Sequence, residues 1–180
     1  MLEDRVLLRK SRNGDRQAFE VIYEKYRDDL LTIAVHLLRD KALAEDAVQE
    51  VFVKLIESLD TFELRGSLKG FLSCCTANRC RDILRRQKVR VASELYDNVI
   101  YDPNPEPIAV LVRSEEDAKL AAGLGELPYE QREVIILRHH GGMRFRRIAE
   151  VQGTSTKTVQ SRYSYGMQKL RTLLNGEAVQ

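Results

Sequence analysis

A chain of 180 residues with 43% apolar side chains and a net charge of +2 can bury one ordinary core or two small ones, which excludes wholesale disorder. No apolar run nears the about 20 residues needed to cross a bilayer. The opening MLEDRVLLRKSRNGD carries charges where a secretion signal needs an apolar stretch, so a soluble, cytoplasmic protein without membrane insertion is expected.

The first helix is expected from Asp15, an N-cap after Gly14. Phe19, Ile22, Tyr23, Tyr26, Leu30, Ile33, Ala34 and Leu37 then follow at the 3–4 spacing of one buried face. A second helix over about 42–58 has Ala47, Val48, Val51, Phe52, Leu55 and Ile56 as its apolar set. Two glycines and Ser67 mark 60–70 as a loop, and a third helix runs from about Ser67 to Lys88. Pro103, Pro105 and Pro107 exclude helix and favour extended chain, which places a linker at 93–113. Helix resumes near Ser114, with Glu115, Glu116 and Asp117 favourable in a first turn. Pro128 opens another helix over Tyr129–Arg138. The fold class is all-α: two small helical domains, 1–92 and 114–175, joined by an extended linker.

Charge follows this division. The balance is −4 over residues 1–63, +7 over 64–92, −7 over 93–131 and +6 over 132–180. Each of the two basic blocks could hold its own length of phosphate backbone. A linker of about 20 residues reaches about 66 Å at full extension, or about 19 base pairs of duplex.

Near the C-terminus, Ala149, Gly153 and Val159 stand at the spacing that two helices need to cross through a short turn. The small residue allows close approach, the glycine takes a positive φ, and the β-branched residue fills the wedge. Ser155 is the expected N-cap of the second helix. That helix would present Thr156, Lys157, Thr158, Gln160, Ser161 and Arg162, types suited to base edges and phosphates. Arg144, Arg146 and Arg147 on the preceding helix would lie towards the backbone.

Enzymatic chemistry has no candidate residues. His36, His139 and His140 have no Ser, Cys or carboxylate partner at catalytic spacing, and no glycine loop cradles phosphate. Cys74, Cys75 and Cys80 are odd in number and lack a second metal-ligand pair, so they are expected to be small reduced residues, with no metal and no cofactor.

The run Leu127-Pro-Tyr-Glu-Gln-Arg-Glu-Val-Ile-Ile-Leu-Arg138, followed by the helix-turn-helix, resembles the C-terminal promoter-binding domain (region 4) of bacterial sigma factors. Gly14-Asp15 with Ala18-Phe19, then Ala44-Glu-Asp-Ala-Val-Gln-Glu-Val-Phe52, Phe71-Leu72, Asn78 and Asp82-Ile-Leu-Arg-Arg86 resemble region 2. The absence of a domain between them points to the extracytoplasmic-function group. The resemblance implies a non-enzymatic subunit that binds core RNA polymerase (the β′ clamp helices and the β flap) and directs promoter recognition, strand opening and initiation. An anti-sigma factor is a common partner in this group. By the resemblance, Asp46, Gln49, Glu50 and Phe52 would dock on the clamp helices; the first three share a helix face. The −10 element would be read by the loop bearing Phe62 and Arg65 and by Asn78, to which charge and position add Arg79, Arg81 and Arg85. The −35 element would meet Arg144, Arg147, Thr156, Lys157, Thr158, Gln160, Ser161 and Arg162.

The chain departs from the family pattern at Ile56 and Phe71, where tryptophan is frequent, at Arg144 and Arg147, where serine and glutamate are usual, and at Gly166, a common alanine whose loss costs a helix up to about 1 kcal/mol. The alternative is a stand-alone, dimeric helix-turn-helix regulator, which would leave the first 90 residues without a role.

Overall fold

The computed structural model describes residues 2–94 and 114–175, so the expected linker lies almost wholly outside the described residues. Within them every regular element is a helix: α1 Leu2–Arg12, α2 Arg16–Leu38, α3 Lys41–Ser58, α4 Leu68–Glu94, α5 Glu115–Gly125, α6 Tyr129–His139, α7 Phe145–Gln152 and α8 Thr156–Leu174.

The caps sit where side-chain chemistry puts them. Asp15 accepts from the Ala18 N–H at 3.1 Å and Asp40 from that of Leu43 at 2.9 Å, starting α2 and α3. Ser114 and Ser155 do the same for α5 and α8. Gly153 takes φ 61° and turns the chain between α7 and α8.

Two elements differ from the sequence expectation. The first helix is expected from Asp15, yet residues before it already form α1, whose Asp4 and Leu8 are buried against α2. α4 runs on to Glu94 rather than ending at Lys88, because the basic run after Arg85 contains no glycine or proline to stop propagation.

α1–α4 surround a core that includes Ile22, Leu30, Ile33, Leu37, Leu68 and Leu72. α5–α8 enclose Leu124, Val134, Leu137, Ile148, Val159 and Leu170. The two helical sets also touch: α2 packs against α6, and α4 against α6 and α7. His36, Ser73, Arg132 and Gly141 are buried at this seam, and a Cβ on Gly141 would stand 3.2 Å from that of Ser73. The seam is poorly satisfied in polar terms. His36 Nδ1, Arg39 Nε, Ser73 Oγ and Arg132 Nε are all buried without a hydrogen-bond partner, each a cost to the closed arrangement.

Gly166 is explained by packing. A Cβ there would approach Ile135 Cδ1 to 3.0 Å and Gln131 Cβ to 3.2 Å, so glycine lets α8 cross close to α6.

Candidate nucleic-acid interface

α7 and α8 form the expected helix-turn-helix. Ala149 and Val159 are buried between them. On α8, Lys157, Gln160, Ser161 and Ser164 are exposed and fall on one face by their 3–4 spacing. Thr156 is also exposed, at the first turn. Free N–H groups and a positive dipole end there favour a phosphate. Thr158 is drawn into the cap, its Oγ1 lying 2.9 Å from Ser155 Oγ. Arg162 is turned back and donates to Gln152 Oε1 at 2.7 Å. Arg144 is exposed at the start of α7. Arg147, also exposed, donates to Glu150 at 2.5 Å and reaches Cys74 Sγ at 3.8 Å across the seam.

The N-terminal half carries a second basic surface on α4. Arg81 donates to the Val151 carbonyl at 2.7 Å and to Glu133 Oε1 at 2.6 Å. Arg85, exposed, pairs with Asp82 at 3.1 Å. Both line a cleft of about 600 Å³ with Lys88, Tyr129, Glu133 and Arg162. The structure therefore brings members of the two expected DNA-binding sets to one cleft. Glu133, 1% exposed, also accepts from Tyr129 Oη at 3.2 Å and Gln152 Nε2 at 2.8 Å. Burial first, then the Glu133 charge, holds the Tyr129 hydroxyl well above the usual phenol range. This carboxylate thus ties Arg81 directly and Arg162 through Gln152.

The remaining members of the α4 set lie elsewhere. Asn78 and Arg79 share a groove of about 370 Å³ between α3 and α4 with Glu50 and Phe71. Arg79 is ion-paired to Glu50. The loop 59–67 holds Phe62 against Phe71, ring centroids 4.7 Å apart. It exposes 90% of the Arg65 side chain, whose Nη2 lies 3.4 Å from Glu63.

Comparison with known proteins decides what such an arrangement is. Residues 22–90 match the family Sigma-70 region 2, and residues 118–170 match Sigma-70, region 4. The chain is a member of the sigma-70 family, in its extracytoplasmic-function (ECF) group. It is 32% identical over 168 residues to the ECF RNA polymerase sigma factor SigE of Mycolicibacterium smegmatis, covering 89% of this chain and 64% of that protein. The chain thus spans less than two thirds of SigE. It is 29% identical over 180 residues to the RNA polymerase sigma factor NccH of Alcaligenes xylosoxydans xylosoxydans, covering 98% and 97%. Among solved structures, the sigma factor RpoE in complex with the anti-sigma factor NepR from Bartonella quintana aligns with a TM-score of 0.66 at 26% identity, over 87% of this chain and 96% of that one.

On this sigma factor the expected core-docking residues divide. Asp46 and Gln49 are exposed on α3. Glu50 is half-buried and occupied by Arg79. Phe52 is 3% exposed, packed on Phe19 and Tyr23, so it supports the helix from beneath instead of offering its ring to a partner. Exposed Val53 and Ile56 flank the same helix.

Sequence reasoning missed the Glu133 cluster and Arg12, which donates to the carbonyls of Leu59 and Phe62. Glu133 could have been found: with Tyr129, Ile136 and Leu137 it lies on the apolar side of α6, where an unpaired acid is not tolerated. Arg12 left no such signal, because its bonds span 47 and 50 residues of chain. Among the described residues no group of His, Cys, Asp and Glu is placed to hold a metal, and no helix is long and apolar enough to cross a membrane.

Proposed function

We propose that this chain binds core RNA polymerase and carries it to promoters, where it directs strand opening and initiation without catalytic chemistry of its own. The observation that carries the reading is the pairing, on one chain, of an exposed recognition-helix face (Lys157, Gln160, Ser161) with a region 2 bundle that exposes Asp46, Gln49 and Arg65. Residues 114–175 act on the −35 duplex, with Arg144, Arg147, Thr156, Thr158 and Arg162 flanking the central face. Residues 1–92 hold the polymerase through Asp46, Gln49 and Glu50, Phe52 acting from below. They hold the −10 strand through Phe62, Arg65, Asn78, Arg79, Arg81 and Arg85. Residues 93–113 tether the two and set their reach. A flipped −10 base regains by stacking and edge bonds the few kcal/mol lost on unstacking. The protein acts in the cytoplasm with the polymerase, and an anti-sigma factor is a further partner in this reading, as NepR is for RpoE.

In vitro transcription with purified core polymerase and a genomic promoter library tests it. Discrete start sites that share −10 and −35 sequences are expected. A chain that never joins core enzyme, or that tightly binds a palindromic site alone as a dimer, would overturn the proposal. Within that assay Arg162→Ala should reduce −35-dependent initiation about tenfold and leave initiation on a pre-melted template unchanged.

A further inference from the structure

The loop 59–67 joins α3 to α4 and has no regular structure of its own. Its outer end is fixed by Ser67, whose Oγ accepts from the Gly70 N–H at 3.1 Å, and Gly66 turns the chain there at φ 104°. Its inner end begins at the C-terminus of α3, where the last carbonyls of a helix lack partners within the helix. Two carbonyls at that end are taken by one side chain from a distant helix. Arg12, at the end of α1, donates Nε to Leu59 O at 2.7 Å and Nη2 to Phe62 O at 2.6 Å. A guanidinium is suited to this: it is planar, forked and always charged, and a cation is favoured at a helix C-terminus.

α1 is held so that this contact has a fixed origin. At its other end Asp4, 4% exposed, accepts from Tyr26 Oη at 2.7 Å and from Lys25 Nζ at 2.9 Å on α2. Leu8 is buried midway, and Ser11, also buried, bonds back to the Leu7 carbonyl. α1 is thus a short strut pinned to α2 at one end and to the base of the loop at the other. It lies wholly before residue 22, where the region 2 match begins.

We propose that Arg12 is a positioning residue for −10 recognition, fixing the backbone at Leu59–Phe62 so that Phe62 stays packed on Phe71 and Arg65 projects at a set angle towards the opened strand. The inference rests on the proposed reading of this loop as a −10 contact. Arg12 commits Nε and one Nη2 hydrogen to these carbonyls, and in this role it acts through the loop. Loss of the fork should leave α1–α4 folded while the loop samples more conformers, slowing capture of the flipped base.

The test uses the full chain, alone and with core polymerase, as wild type, Arg12→Ala, Arg12→Lys and Arg65→Ala. In the free protein, amide hydrogen exchange over 60–66 should quicken roughly tenfold in Arg12→Ala, with the interior of α4 unchanged. On duplex promoter, 2-aminopurine fluorescence in the −10 strand should report open-complex formation slowed roughly tenfold, with core affinity unchanged and a pre-melted template restoring the rate. Arg12→Lys keeps the charge but cannot fork, and should lie between; it also serves if Arg12→Ala folds poorly. Unchanged loop exchange in Arg12→Ala overturns the proposal, and if opening is nonetheless slowed with a smaller salt slope, Arg12 contacts phosphate directly. Loss of opening in Arg65→Ala beside normal opening in Arg12→Ala overturns the positioning role alone. Normal opening in both overturns the reading of the loop itself.

Discussion

Arg81 of α4 donates to Glu133 of α6 at 2.6 Å across the seam between region 2 and region 4. The carboxylate is almost fully buried and the guanidinium about one third exposed. Both Nη groups of Arg81 are committed inside the protein, to Val151 O and Glu133, so promoter binding through Arg81 competes with this contact.

Glu133→Gln should therefore loosen the closed arrangement. The amide can still accept from Tyr129, but the charge-assisted bond that holds Arg81 is gone, at a cost of about 2 kcal/mol. Small-angle scattering should show a larger radius of gyration. A double-mutant cycle with Arg81→Ala should return a coupling energy of about 1–2 kcal/mol. Additive losses would show that the pair contributes nothing to closure.

Acid should weaken the seam. Burial, then the charges of His140 and Arg132, pulls His36 from 6.5 down to about 4. His140, facing Asp29, Lys69 and His139, is also lowered, chiefly by burial. A folded-state pKa below the unfolded one means that the unfolded chain binds more protons between the two values. The stability contribution is then complete above about pH 6.5 and is lost as pH falls towards 4. Denaturant unfolding at pH 7 and pH 5 should differ by roughly 2 kcal/mol from His36, and His36→Leu should flatten that difference.

Gly166→Ala sets helix propensity against packing. Alanine gains up to about 1 kcal/mol in α8, but its Cβ would press on Ile135 and Gln131, and overpacking costs about 1–3 kcal/mol. A net loss of about 1 kcal/mol in thermal unfolding is expected. A gain would show that Ile135 yields freely.

The cysteines should be inert in the folded chain. All three are free. Burial raises the Cys74 thiol, lifts Cys75 to about 11 and Cys80 to about 12, and the thiolate is the reactive form. Iodoacetamide at pH 7.5 should label the unfolded chain at three sites and the native chain at least about tenfold more slowly.

What the sequence by itself determined was local and periodic. Asp15, Asp40, Ser114 and Ser155 cap helices because their side chains bond N–H groups three residues on. The α7–α8 turn follows from Ala149, Gly153 and Val159. Buried faces follow from 3–4 spacing. The same reading placed Lys157, Gln160, Ser161, Asp46 and Gln49 at the surface, where they are.

Only the tertiary structure decided how those surfaces are used. Phe52 reads as part of a docking strip, yet packs inward on Phe19 and Tyr23. Arg79, Arg81 and Arg162 read as free cations, yet are held by Glu50, Glu133 and Gln152. Arg12, in a helix the apolar spacing did not reveal, holds a loop some 50 residues away. Periodicity reports which side of one helix meets a core. It carries no record of which distant helix supplies the opposing charge, because that pairing is fixed by the packing of α1 on α2 and of α6 on α2 and α4.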